Sequence, residues 1–574
     1  MKHLSSSVII SKVVKNQNII QKRDVFLMLK KYVSDLKKEF SGYNAKKLSA
    51  DLMSGLTVAA VALPLALAFG VSSGADAASG LITAIIAGIV IGLLGGASYQ
   101  ISGPTGAMAA ILLSLAAKHG VEGVFFAGFI SGAILIIAAV LKVGKLVSYI
   151  PAPVITGFTS GIAIIIALGQ IDNFFGTVSE GENAVQKLLS YGENGFVPDL
   201  NAVLFGALVV VIMIIYPKKL NAKFPASLAS IIIALIVELI LKLDVKQVGD
   251  IPKTLLLDSR LTVGAIVDNS KHIKDFISPA VSVAALGMIE SLLCGASAGK
   301  MKNEKIDAQR ELIAQGIGNM IIPLCGGVPA TAAIARTSVA IKSGGNTRLV
   351  SVFHSVTLIA SMFLLGPVMS KIPLAALAGV LMVTAWRMNE WSVIKNIFSK
   401  KLKVSATQFI VTMLATVIFD LTIAIAIGVV LSMFLFILKN CELRIDISDV
   451  DHKRLKKAGH ELSTSMTDTK LVYLAGPLFF GTQEKLTDCL SQLEGANSIV
   501  FSMRGVPMID DSAIGELEGL FETYTAKNVN ILFSGVQPRV RGTLERAGFI
   551  EKIGEDRFYW DAVQALAYLD EQSA

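Results

Sequence analysis

The stretch Gly326-Gly-Val-Pro-Ala-Thr-Ala-Ala-Ile-Ala-Arg-Thr-Ser-Val-Ala-Ile-Lys-Ser343 decides the fold, because it lies inside a membrane-type sequence yet is neither long nor apolar enough to cross a bilayer. Its glycines and Pro329 unwind the backbone, and the run Thr331–Ile341 then starts a helix of only about three turns, roughly half a full span. Irregular backbone at membrane depth survives only where protein or a wet cavity satisfies it. A helix that begins there aims unpaired N–H groups and about half a positive charge at whatever lies in front, which suits an anion. Arg336 adds a full charge whose burial costs about 2.5–3.5 kcal/mol or more, so it should face a cavity.

A second stretch, Ile101-Ser-Gly-Pro-Thr-Gly-Ala-Met-Ala-Ala-Ile-Leu-Leu-Ser114, has the same character: Gly103 and Pro104 precede a short apolar run. Two interrupted segments in corresponding halves of a chain point to a transporter site between inverted repeats. The composition agrees. The chain has 574 residues, of which 53% are hydrophobic and 17% charged, and a mean hydropathy of +0.64, far too apolar for a soluble protein. A net charge of +8 raises the question of nucleic acid, but the basic residues sit in short clusters between apolar runs, as in cytoplasmic membrane loops. Cys294, Cys325, Cys441 and Cys489 have no metal or disulfide spacing and are expected to be free thiols, Cys294 and Cys325 within helices. The six histidines have no metal spacing either, so no metal and no cofactor is expected.

Residues 1–47 read as a cytoplasmic basic arm, ending in a lysine-rich run, 25–47, that suits a helix on an anionic leaflet or a solvated tail. Apolar spans follow at about 52–72, 79–97, 104–117, 122–141, 153–173, 201–217, 225–243, 276–293, 306–323, 331–342, 349–367, 372–389, 405–420 and 421–439: fourteen, two of them half-length. With the N-terminus inside, every even span should precede a basic loop. Lys142 and Lys145, Lys218 and Lys219, Lys300 to Lys305, Lys342 and Arg348, and Arg387 to Lys403 do follow them. Both termini are therefore placed inside. Gly144-Lys-Leu-Val-Ser-Tyr-Ile-Pro151 recurs as Gly366-Pro-Val-Met-Ser-Lys-Ile-Pro373. Seven spans per half, an odd number, make the two halves opposite in orientation. The transmembrane region is bounded at 48–440, with repeat one about 48–245 and repeat two about 270–440. Residues 441–464 read as a linker and 465–574 as a soluble β/α domain.

The first span, Asp51-Leu-Met-Ser-Gly-Leu-Thr-Val-Ala-Ala-Val-Ala-Leu-Pro-Leu-Ala-Leu-Ala-Phe69, taken with Ser102-Gly-Pro-Thr105, Gly287-Met-Ile-Glu-Ser-Leu-Leu-Cys294 and the Gly326–Arg336 stretch, resembles the sulfate-permease (SulP) family of anion transporters. Pro507-Met-Ile-Asp-Asp-Ser-Ala-Ile-Gly515 resembles the signature of a STAS domain. The resemblance implies a polytopic α-helical membrane protein with a seven-plus-seven inverted repeat, divided into core and gate domains, two half-helices meeting at mid-membrane, and a cytoplasmic α/β STAS domain. It also implies an inner-membrane secondary transporter, elevator-like motion and a homodimer. Its anion site carries over to Thr105, Gly106 and Ala107 on one side, Ala333, Ile334, Ala335 and Arg336 on the other, and Phe69 as an apolar wall. Leu65 and Ala335 stand where family members often carry polar side chains, so the pocket depends more on backbone N–H groups and on Arg336.

Glu290 is an acid in the middle of an otherwise apolar span. It reads either as an ion-pair partner of Arg336 or as a proton-coupling carboxylate whose protonation follows site occupancy. A sodium site at Glu290 and Ser291 is the alternative to protons. The wording Ala-Thr-Ala-Ala-Ile-Ala-Arg-Thr and Ile-Glu-Ser-Leu-Leu-Cys is similar to the bacterial C4-dicarboxylic acid transporters within the family, which implies succinate or fumarate; sulfate and bicarbonate stay open. Ser512 falls where some STAS domains carry a phosphorylatable serine, although it equally suits a helix N-terminus. Asp420 and His354 read as structural. An uncoupled anion channel, or a sensor whose STAS domain binds a soluble partner, are the rival classes; an enzyme is disfavoured, since the tail has no nucleophile–base pair.

Overall fold

The computed structural model describes residues 30–573 except 181–183, 222–223, 420, 458, 461, 463–465, 491–492 and 494. Asp420 and the first part of the basic arm therefore lie outside the described residues. The chain divides into two compact units, Met1–Val429 and Val430–Ala574.

In the first unit, helix α1 covers residues 30–39. There follow α2 (Ala45–Ser72), α3 (Ala77–Leu94), α4 (Gly106–Val140), α5 (Ala152–Gly169), α6 (Leu200–Ile215), α7 (Ala226–Leu241), α8 (Ile273–Lys302), α9 (Ala308–Leu324), α10 (Ile334–Lys342), α11 (Leu349–Met369), α12 (Leu374–Met388), α13 (Lys403–Ile418) and α14 (Leu421–Asn440), whose chain continues into the second unit, with shorter helices in the connections. Helix α4 is two arms joined at Gly120, whose φ of 67° breaks the helical path, a conformation glycine adopts without strain. Counting those arms separately, α2 to α14 supply fourteen segments, and among the described residues six helices are long and apolar enough to cross a membrane unaided.

The helices form two clusters. Helices α2, α3, α4, α8, α9, α10 and α11 pack on one another, while α5, α6, α7, α12 and α13 pack among themselves. Each cluster takes corresponding spans from both halves of the sequence, as an inverted repeat requires. The repeated octapeptide does the same job twice: Pro151 and Pro373 are the N-caps of α5 and α12, with ψ of 143° and 133°. Proline's fixed φ and missing N–H suit a helix start.

The basic arm's described end does not lie loose. Tyr32, Asp35 and Glu39, spaced to share one face of α1, turn toward the first cluster. The Tyr32 hydroxyl donates to the Leu93 carbonyl at 2.8 Å, Arg310 meets Asp35 at 2.7 Å and Arg348 meets Glu39 at 2.9 Å. The lipid-surface helix expected there is thus held on one side by protein. The Arg348–Glu39 pair is buried, with side chains 3% and 9% exposed, and removing one partner of a buried pair costs about 3–5 kcal/mol. Glu39→Ala is expected to lower the thermal midpoint of the purified protein clearly, and Glu39→Gln, which keeps acceptor and shape, by less. Equal midpoints for Glu39→Ala and wild type would show that the pair does not anchor α1.

The second unit carries a five-stranded sheet, β3 (Arg444–Asp449), β4 (Thr469–Ala475), β5 (Ser498–Gly505), β6 (Asn530–Ser534) and β7 (Phe558–Tyr559), in that spatial order. Strands β4 to β7 are parallel and β3 is antiparallel at the edge. The segment expected to be a linker, 441–464, is therefore in part a strand: Ile445 and Ile447 pack against the core while Arg444, Asp446 and Ser448 alternate with them. Helices α15 (Asp511–Thr525), α16 (Pro538–Arg546) and α17 (Ala562–Ser573) belong to the same unit, with shorter helices between them and the strands. Asp510 caps α15 by accepting from the Ala513 N–H at 2.9 Å, which leaves Ser512 exposed in its first turn.

Candidate functional site

Two residues from each broken stretch make the crossing. Strands β1 (Ser102–Gly103) and β2 (Thr331–Ala332) pair antiparallel, Ser102 opposite Ala332 and Gly103 opposite Thr331. Each strand runs at once into a helix, so the antiparallel pair brings the N-termini of α4 and α10 to the same place. The crossing is wholly buried, with Ser102 at 1% and Thr331 at 0% exposure, and hydrogen bonding satisfies its backbone where no regular helix could. Thr105 caps α4, its hydroxyl facing the Met108 N–H at 3.4 Å. Ala333, the N-cap of α10, offers no side-chain acceptor, so the first-turn amides there depend on something other than the chain's own cap. Ile334 is 49% exposed and Ala335 is exposed too, which leaves that turn open.

Arg336 does not make the ion pair that is one of the two readings of Glu290. No salt bridge joins it to Glu290 among the described residues. It is 2% exposed, and its Nη2 donates instead to the Pro104 carbonyl across the crossing. Its Nη1 has no hydrogen-bond partner among the described residues. The guanidinium lies against Gly103: a Cβ on that glycine would sit 2.4 Å from Nη1 and 3.3 Å from Cζ. A side chain at 103 would therefore displace the tip of Arg336. A buried guanidinium with one free donor edge is a costly arrangement unless an acceptor completes it. Gly103→Ala is expected to push Arg336 out of place and weaken anion binding severalfold in an equilibrium assay; wild-type affinity in that variant would mean the contact with Gly103 is incidental.

Glu290 lies on α8 beside the other helix end. Its Oε2 accepts from the Thr105 hydroxyl at 3.0 Å, so Thr105 touches both the α4 amides and the acid. The acid is partly buried rather than sealed. Ser291, its neighbour, is turned the other way: its hydroxyl is 3.0 Å from that of Thr331, its carbonyl accepts from Gln100 Nε2 at 2.8 Å, and the Ala332 N–H reaches its Oγ at 3.4 Å. Ser291 thereby holds β2 in place.

A polar face of α9 supports the crossing from behind, and none of its residues stands out as a site in the sequence. Asn319 bonds the Ala330 N–H at 2.7 Å and the Ala330 carbonyl at 2.9 Å. Gln315 donates to Ser102 and to Glu311 at 2.9 Å each, and Glu311 accepts from the Gly96 N–H at 2.8 Å. These residues recur every fourth position on a helix otherwise apolar enough to be buried. That spacing was the available signal.

Phe69, 5% exposed, borders a cavity of about 600 Å³ together with Gly106, Ile166 and Gln170; Lys118, His119 and Lys187 stand among its other lining residues. Ala107, in the first turn of α4, is fully buried. Cys325 differs from expectation. Cys325 lies just past the end of α9 and is only half-buried, while Cys294 is buried; both, with Cys441, are free. His354, in α11, is fully buried, with neither ring nitrogen bonded to any of the described residues.

Helices arranged as an inverted repeat, with two half-helices meeting at a buried cation, define a membrane transporter for anions. The sulfate permease family profile matches residues 48–415 and the STAS domain profile residues 464–565, and the chain belongs to the sulfate permease family of anion transporters. It is 34% identical over 540 residues, 91% of its length, to the putative sulfate transporter YvdB of Bacillus subtilis, covering 97% of that protein. It is 28% identical to the bicarbonate transporter BicA of Picosynechococcus, over 91% of this chain and 94% of that one. Among solved structures, the transmembrane domain of a cyanobacterium BicA matches 68% of this chain and 98% of its own with a TM-score of 0.61 and 27% identity. The murine Slc26a9 anion transporter matches 95% of this chain and 94% of its own with a TM-score of 0.79; at 18% identity this likeness shows the fold alone. These relatives are transporters, and the chain is a transporter rather than an enzyme.

Proposed function

We propose that this protein is a secondary active transporter of a small oxyanion, bound between the N-termini of α4 and α10 and carried with a proton on Glu290. The single observation behind this reading is the unpartnered Nη1 of buried Arg336 at the meeting point of two helix N-termini. Sulfate and bicarbonate are the first candidates, because relatives named as sulfate and bicarbonate transporters span nearly the whole chain. A C4-dicarboxylate is the second reading, favoured by the wording around Arg336 and Glu290. Thr105 links anion and proton: its hydroxyl bonds Glu290 while its neighbours' amides face the anion. An anion arriving there offsets the positive field and favours a protonated Glu290.

Sodium in place of the proton would need Glu290 with nearby oxygens, and the engagement of Ser291 with β2 leaves it less free for that role. The first helix cluster would move against the second, in a homodimer placed in the inner membrane with the STAS domain cytoplasmic, where Ser512 is an accessible site for regulatory phosphorylation or for a soluble partner. The test is uptake of labelled sulfate, bicarbonate and succinate by the purified full chain in liposomes, with pH and sodium gradients imposed separately. Accumulation of one anion under a proton gradient alone supports the reading. Flux that never exceeds passive equilibrium would replace it with an anion channel.

A further inference from the structure

We infer that Ile166 sets the upper size of the transported anion; this rests on the reading of the α4 and α10 N-termini as the anion site. Ile166 belongs to α5, in the second helix cluster, yet its side chain reaches the first residue of α4. A Cβ added at Gly106 would stand 2.3 Å from Ile166 Cδ1 and 3.0 Å from Phe69 Cε1. The two side chains, 7% and 5% exposed, therefore leave less than a methyl group of space on that side of the helix end. The wall is split between clusters: Phe69 rides on α2 with α4, and Ile166 does not.

One turn farther along both helices, Gln170 Nε2 donates to the Ser72 hydroxyl at 3.0 Å, which ties α5 to α2 and sets the spacing of the wall. On the α10 side, the first turn is open at Ile334 and Ala335. An oxyanion built on one central atom fits between an apolar wall and an open turn with its oxygens on the amides and Arg336. A longer dianion held at the helix ends must push past Ile166 and Phe69, which line the cavity beside Gly106. Ile166 is thus a specificity-determining contact of the gate-side helix.

The test is competition against labelled sulfate binding to the full chain, with unlabelled sulfate, oxalate, malonate and succinate as a size series, for wild type, Ile166→Ala, Ile166→Val and Ile166→Phe. Arg336→Ala is the control for the site. Wall contacts of this size are worth about tenfold in discrimination. The expected result is that Ile166→Ala narrows the sulfate-to-succinate ratio by about that factor, Ile166→Val narrows it less, and Ile166→Phe widens it, while Arg336→Ala loses sulfate binding. If the Ile166 variants shift every anion by the same factor, or none, while Arg336→Ala still loses binding, the size role is wrong and the site stands. If Arg336→Ala binds sulfate as wild type does, the site reading fails and the role of Ile166 with it. Ile166→Val, one methyl smaller, keeps the comparison available if the larger changes do not fold.

Discussion

Arg336→Ala is expected to weaken anion binding about ten- to hundredfold. A hydrogen bond to a charged group is worth about 1.5–3 kcal/mol, and each 1.4 kcal/mol is about a factor of ten. Arg336 brings such a bond from Nη1, which none of the described residues engages, together with a full charge in a place 2% exposed. The two helix N-termini remain in the variant, so residual binding survives at high anion concentration. Arg336→Lys keeps the charge and loses the planar fork that bonds Pro104 with one edge and presents the other, so it should fall between. Isothermal titration with sulfate measures all three proteins. Unchanged affinity in Arg336→Ala would remove the arginine from the site.

Glu290→Gln carries the second large effect. Glutamine keeps the shape and an acceptor for the Thr105 hydroxyl, now 3.0 Å from Glu290 Oε2, so the crossing and the anion site should survive. It cannot change its charge, and a group that cannot change its charge cannot carry the proton. The variant is expected to exchange labelled for unlabelled anion across liposomes at near the wild-type rate while accumulating none above equilibrium under an imposed pH gradient. Accumulation at the wild-type level in Glu290→Gln would take the carboxylate out of the coupling role. Loss of exchange together with accumulation would instead mark it as a binding or structural group.

The parts of this fold legible in the sequence are those with a period or a breaker. Long apolar runs gave the helices, the positions of Gly103–Pro104 and Gly326–Pro329 gave the half-helices, and the octapeptide ending at Pro151 and Pro373 gave the repeat that the two matching helix caps now display. Strands of two residues have no period, so β1 and β2 were invisible, although the glycines beside them were not. The acceptor of Arg336 is not legible in the sequence because a helix face does not say which of several nearby acceptors a long side chain reaches; the Pro104 carbonyl is 232 residues away. Ile166 was hidden for a related reason, since nothing in an apolar helix distinguishes the one isoleucine that touches a glycine of another cluster. The edge strand β3 did carry a signal: Ile445 and Ile447 alternate with polar neighbours, a period of two that the charge-rich surroundings obscured.

The anion's position is tested most directly by a structure of the full chain with selenate, whose selenium marks a sulfate-like anion by anomalous scattering. Binding at the two helix ends predicts a peak between the first turn of α4, at Thr105 to Ala107, and that of α10, at Ala333 to Arg336, within hydrogen-bonding distance of Arg336 Nη1, and none there in Arg336→Ala. A peak elsewhere in the wild-type protein, with none between the two helix ends at a selenate concentration that saturates transport, would contradict it.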